Sequence, residues 1–178
     1  MFGLILVILG GTCSGKTEFA LACEKFGFPK VITNTTREKR IDDKENSYHF
    51  LSKEQFLDKI ANGEMLEYAE YNGNLYGTSM DSLSDNCVIV LEPNGLESFK
   101  RILGDRVYSI FLDVSDEERI KRGIARGDNI EILNARVEEE KELFTEKVKN
   151  SVDFLIRDLR REEIDEVIEN NLDTLYTK

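Results

Sequence analysis

The chain has 178 residues, enough for one compact core with small appended lobes and too few for two full domains. At 40% hydrophobic and 33% charged, with two prolines, its composition is that of a globular protein and argues against disorder or a fibrous repeat. The formal net charge of -11 argues against general binding to nucleic acid or an acidic membrane, so an anionic ligand must be met by cations gathered locally.

The opening segment, Met1 to Leu9, is apolar but far short of the roughly 20 residues a spanning helix requires. Within it Leu4–Leu9 reads as a strand buried on both faces of a parallel sheet, ending at Gly10-Gly11. The octapeptide Gly10-Gly11-Thr12-Cys13-Ser14-Gly15-Lys16-Thr17 fits G-x-x-x-x-G-K-[ST]. Glycines at these positions let backbone N–H groups turn inward around phosphates, and the helix that follows points its positive end at the same place. Lys16 adds a charge at the β/γ oxygens, and the Thr17 hydroxyl is a ligand for Mg²⁺. The context is right: a buried strand precedes the loop, and the helix Thr17–Phe26, stopped by Gly27, follows it. These residues predict a nucleoside triphosphate site. Cys13 sits in that loop, near a helix N-terminus that would favour a thiolate, but the reading preferred for it is a small residue tolerated where its side chain points away.

Three cysteines (Cys13, Cys23, Cys87) and the single His49 show no paired spacing, which predicts reduced thiols rather than a zinc site or disulfides, and a cytoplasmic setting. A short strand is predicted at Lys30–Thr33. The polar stretch Asn34–Ser47 then interrupts the α/β rhythm. After it come a short strand at Tyr48–Leu51 and a helix from Ser52, capped with Gln55, to Asn62. Strands Leu66–Tyr71 and Leu75–Thr78 flank Asn72-Gly73-Asn74, a hairpin signal. Such an antiparallel insert in a parallel core predicts a small movable lobe. Buried strands follow at Cys87–Leu91, Val107–Leu112 and Phe154–Ile156. Helices are predicted at Gly95–Ile102, Asp116–Arg126 (with Ser115 and Glu118 as a capping box), Leu133–Lys149 and Glu162–Leu175.

Several groups in the insert suit a nucleoside monophosphate. Arg37 and Arg40 offer two guanidinium forks to a phosphate dianion, and the Tyr48 and Tyr76 hydroxyls add neutral donors. Guanine carries two adjacent donors, N1–H and the 2-amino group, which one carboxylate can accept together; leaving them unpaired would be costly. Beyond the insert, Arg119, Arg122 and Arg126 recur at spacings of three and four and share one helix face, with Arg136 after the linker Gly127-Asp128-Asn129. Arg122 also has Glu118 one turn earlier as an ion-pair partner.

Taken in order, Thr35-Thr36-Arg37 with Arg40, Tyr48-His49-Phe50, Leu66-Glu67-Tyr68 and Tyr76-Gly77-Thr78-Ser79 resemble the monophosphate-binding lobe of the guanylate kinases. That family shows T-T-R-x-x-R, Y-x-F, [FL]-E-[WYF] and Y-G-[ST] in this order. With the phosphate loop and the arginines beyond, the resemblance covers most of the chain. It implies a P-loop three-layer α/β/α core with a parallel sheet over residues 1–32 and 80–178. It further implies a small mixed β/α lobe at 33–79 that binds the nucleoside monophosphate, and a helical lid at about 119–137. The implied reaction is ATP + GMP to ADP + GDP, or dGMP as acceptor, with Mg²⁺ and without nucleic acid or membrane partners. Residues 10–17 would hold ATP phosphates. Thr33, Arg37, Arg40, Asp43, Tyr48, Glu67, Tyr76 and Thr78 would hold GMP, with Glu67 reading guanine and Thr33 and Thr78 giving hydroxyl contacts to the base. Arg122, Arg126 and Arg136 match the lid arginines and join Lys16 as catalytic candidates; Thr17 and Glu92 are the metal candidates. The chain departs from the family pattern at Gly11 (a proline there), Cys13 (a glycine), Val90 (an acid) and Arg157 (an asparagine). A kinase for another mononucleotide, or a non-catalytic binding module of the same fold, stays open at this stage.

Overall fold

The apolar opening run is strand β1 (Ile5–Gly10), and every residue in it is buried. A computed structural model describes residues 3–41, 45–71 and 73–176 of the chain; Asp43 and Asn72 lie outside the described residues. β1 is flanked by β6 (Cys87–Val90) and β7 (Val107–Asp113), and β8 (Phe154–Arg157) pairs beyond β7, all parallel, in the order β6-β1-β7-β8. Because strand side chains alternate, β1 feeds two cores. Leu6 and Ile8 meet Phe19 and Cys23 of α1 (Lys16–Cys23) and Ile164 and Ile168 of α7 (Ile164–Tyr176). Ile5, Val7 and Leu9 meet Leu96 and Phe99 of α3 (Pro93–Leu103), with Val148 of α6 (Glu146–Ser151) packed against them. Helices thus cover both faces of a parallel sheet, the predicted three layers.

A second sheet, order β3-β2-β5-β4, stands apart from the first. Its strands are β2 (Asn34–Thr35), β3 (His49–Phe50), β4 (Met65–Tyr71) and β5 (Asn74–Ser79). β2 and β3 run parallel; β2/β5 and β4/β5 are antiparallel, so the insert is mixed. Between β3 and β4, α2 (Lys53–Ala61) starts at the predicted capping box, with both the Ser52 and Gln55 arms made.

Two predicted elements differ from the structure. Lys30–Thr33 is not a strand: only Lys30 bridges to Val88, and regular pairing resumes at Asn34. The long helix across 133–149 is two, α5 (Ile130–Leu143) and α6. The chain turns at Phe144, whose ring packs edge-on to Phe111 at 5.5 Å, and Thr145 caps the next helix. Burying that phenyl ring against β7 outweighs continuing the helix. The capping box of α4 (Asp116–Arg126) is half made: Ser115 accepts from the Glu118 amide, while the Glu118 carboxylate turns to Arg122. Among the described residues no helix is long and apolar enough to cross a membrane.

Candidate active site

The 10–17 loop leaves β1 and enters α1 as the motif requires. Gly15 caps the helix at φ 96, a left-handed conformation suited to glycine, and no side chain satisfies the helix's first N–H groups. Those amides and the helix dipole form an anion site. Lys16 folds back, its Nζ donating to the carbonyls of Gly10 and Gly11 at 2.7 Å each. Burial pulls the Lys16 ammonium below the usual lysine range, and the nearby Glu140 carboxylate partly offsets this. Thr17 is exposed beside it. Ser14 is buried with its Oγ unpartnered.

Burial pushes the Cys13 thiol above the ordinary cysteine value, and Asp128 adds to that against the opposing pull of Arg126. Desolvation outweighs the helix terminus at Cys13. Its backbone is left-handed at φ 60, which strains a residue with a Cβ.

One face of α4 runs along this loop. Arg119 donates to the Thr12 carbonyl at 3.3 Å. Arg122 reaches the Ser14 carbonyl at 3.4 Å, the Leu159 carbonyl at 2.9 Å and Glu118 at 3.0 Å. Arg126 pairs with Asp128 and lies 3.5 Å from the Cys13 sulfur. The spacing of three and four does put these arginines on one face, and the Glu118 pairing of Arg122 coexists with its reach to the loop. Arg136, by contrast, is exposed on α5 and touches the cluster only through its field at Asp128.

A cleft of about 800 Å³ is lined by Gly10 and Lys16 of the loop, by Thr33, Tyr48, Glu67 and Tyr76 of the insert, and by Val90 and Glu92. The β4/β5 register sets Glu67 opposite Thr78, whose hydroxyl donates to the Glu67 carboxylate at 2.7 Å. Burial raises the Glu67 carboxyl above the usual range despite that hydrogen bond, and Glu92 raises it further. Tyr48 and Tyr76 meet edge-on at 6.0 Å, and the Arg37 guanidinium lies 5.6 Å from the Tyr48 ring centre and 5.6 Å from that of Phe50. Arg40 is exposed and outside the cleft lining. Glu92, exposed at the start of α3, is near enough to influence both Lys16 and Glu67.

The structure therefore brings together Lys16, Thr33, Tyr48, Glu67, Tyr76 and Glu92 in one cleft, with Thr78 behind Glu67 and Arg37 behind Tyr48. Arg122 and Arg126 gather at the loop from the other side. Arg40 and Arg136 are not brought in, and Asp43 lies outside the described residues. Two groups at the loop escaped the sequence reading as site residues, Arg119 and Glu140. A hint was present for the first, an acid at i−3 (Asp116); the second is one glutamate in the run Glu138-Glu139-Glu140, which gives no sign of which turns inward.

A sequence model of the guanylate kinase family matches residues 4–176. A guanylate kinase of Anaplasma phagocytophilum is 33% identical over 147 residues, 76% of this chain and 70% of that protein. One of Chlorobaculum tepidum is 33% identical over 147 residues, 76% of this chain and 75% of its own. The crystal structure of guanylate kinase from Anaplasma phagocytophilum superposes with a TM-score of 0.67 at 26% identity, covering 99% of this chain and 88% of that one.

Proposed function

The chain belongs to the guanylate kinase family, and from that premise we propose how its residues divide the work of moving the γ-phosphoryl of ATP onto GMP. It is a nucleoside monophosphate kinase, a transferase acting on a phosphate acceptor. The observation that carries the residue assignment is the cleft shared by Lys16 and Glu67, with Thr78 donating to the Glu67 carboxylate.

ATP lays its phosphates on the N–H groups of residues 10–17, and Lys16 leaves the Gly10 and Gly11 carbonyls for the β/γ oxygens. GMP enters opposite, its N1–H and 2-amino group on the Glu67 carboxylate and its phosphate against the Tyr48 and Tyr76 hydroxyls and Arg37. Thr33 and Thr78 complete the base pocket, and Arg40 belongs to the same lobe. An oxygen of the GMP phosphate attacks the γ-phosphorus, the bond to the bridging oxygen breaks, and ADP leaves. No covalent enzyme intermediate forms; catalysis is positioning and charge stabilisation. Arg122, Arg126 and, on closure, Arg136 stabilise the charge that spreads over the transferring group and exclude water. Residues 33–79 act as the acceptor lobe, about 119–137 as the lid, and 1–32 with 80–178 as the core.

Magnesium suits the oxygens present. Thr17 is exposed at the N-terminus of α1, and Glu92 is exposed in the cleft within the field of Lys16. Both are hard donors, and Mg²⁺ prefers few protein ligands with phosphates and waters. When bound there the ion neutralises charge on the β and γ oxygens. Three free cysteines, two of them buried, suit a reducing cytoplasm, where we place the activity.

A mononucleotide panel tests this reading. With MgATP present, coupled measurement of ADP release is expected to show GMP, then dGMP, as the acceptors used, with AMP, CMP and UMP far slower. Equal use of AMP, or no turnover with any acceptor, would reject it.

A further inference from the structure

The loop at 10–17 is tied to the two helices beyond it by a buried charge cluster that the reaction scheme leaves unused. Arg119 is 7% exposed at its side chain. Its guanidinium bonds Glu140 at 2.5 Å, Asp116 at 2.7 Å and the Thr12 carbonyl at 3.3 Å. The Glu140 carboxylate in turn accepts the Thr12 N–H on both oxygens, at 2.8 and 2.9 Å. Lys16 lies within the field of both groups, and Lys141 approaches Asp116 at 3.9 Å. All of this packs onto Gly11: a Cβ there would fall 2.0 Å from Arg119 Nη1 and 2.8 Å from Glu140 Oε2. The loop carries glycine at this point because a guanidinium and a carboxylate occupy the space a side chain would need.

A buried ion pair is a poor way to add stability, since well-packed apolar side chains of the same volume often do as well or better. It does define geometry. The fork of Arg119 fixes Glu140, and Glu140 fixes the Gly11–Thr12 peptide. We propose that Arg119 and Glu140 are positioning residues that set the phosphate loop for ATP by tying its Gly11–Thr12 peptide to the first turn of α4 and to Glu140 of α5. This proposal rests on the phosphoryl-transfer reading above.

Steady-state kinetics of Glu140→Ala, Arg119→Met and the double variant test it, with KM for ATP and for GMP measured separately and a melting curve for each protein. Loss of the charge-assisted bonds to Thr12 is expected to raise KM for ATP by about tenfold or more, with KM for GMP within about twofold. The double variant should resemble the worse single one, because the two residues act as a unit. Gly11→Ala should impair ATP use in the wild-type background and be tolerated in the double variant, where the space is vacated. If Glu140→Ala fails to fold, Glu140→Gln, which keeps one acceptor for the Thr12 amide, gives the same readout. Unchanged KM for ATP overturns the proposal whatever the melting temperature does, as does an equal rise for both substrates that follows the loss of folded protein. Turnover of the wild type in the same assay tests the underlying reading independently.

Discussion

The phosphate loop and the acceptor cleft grip anions with different materials. The loop is built from backbone, held by the end of β1, the start of α1 and the arginine face of α4. The cleft is built from side chains on separate strands. Its carboxylate accepts from Thr78, the Arg37 guanidinium lies over the Tyr48 ring and donates to the Glu38 carbonyl, and Arg40 is exposed. Preorganised amides suit a phosphate chain shared by every nucleoside triphosphate, whereas side chains can be aimed at one base. The division is between a rigid generic grip and an adjustable specific one.

Breaking the rigid side should do the most damage. Lys16→Ala is expected to lower kcat by about 10²–10³ or more, the scale for removing one charge-stabilising donor. Circular dichroism and the melting transition should stay near wild type, because the lost contacts are two bonds to loop carbonyls. Near-normal turnover would remove the loop from the chemistry.

On the adjustable side, Arg37→Ala should raise KM for GMP by about 10–100-fold, the range for a lost charge-assisted hydrogen bond, and leave KM for ATP alone. An effect on ATP instead would blur the two regions into one. A subtler change comes from acidity. In the proposed role Glu67 takes guanine as the carboxylate, and burial holds its carboxyl above the usual range. KM for GMP should therefore climb several-fold as pH falls through that raised value, a change flattened in Glu67→Gln; the estimate assumes roughly tenfold per pH unit below it. The sign for stability is opposite: the neutral form suits the fold, so Glu67 supports stability at low pH and loses that contribution as pH rises through its folded value. The smallest effect is expected at Cys13→Gly, which relieves the left-handed strain at φ 60 and should change stability by no more than about 1 kcal/mol, read as a small shift of the melting point.

The same contrast governs what could be read from the sequence. The loop is contiguous and its neighbours are strongly patterned, so β1, α1 and the motif between them were legible from eight residues and their flanks. The capping box at Ser52 was legible for the same reason, since both partners sit three residues apart. The cleft is dispersed over β4, β5 and the segments at Thr33 and Tyr48, and only the order of short fragments, matched to a family, drew Glu67, Tyr48 and Tyr76 together. What escaped was long-range. Nothing in the run of glutamates on α5 marks Glu140 as the one that turns to Thr12. The helical pattern through 133–149 hides the break at Phe144, because the cause is an aromatic contact with Phe111 in a different element. Arg136 shows the converse limit: a motif position is legible, and the side chain there stands exposed on α5.

The central claim is that Glu67 reads guanine in the cleft it shares with Lys16. It is tested most directly by the ratio of kcat/KM for GMP to that for AMP, measured with saturating MgATP in the wild type and in Glu67→Gln. A preference for GMP of about 10²-fold or more is expected in the wild type, given the cost of leaving buried donors and a carboxylate unpaired, and most of it should vanish in the variant. A wild-type ratio near one, or a preference that survives Glu67→Gln intact, would contradict the account.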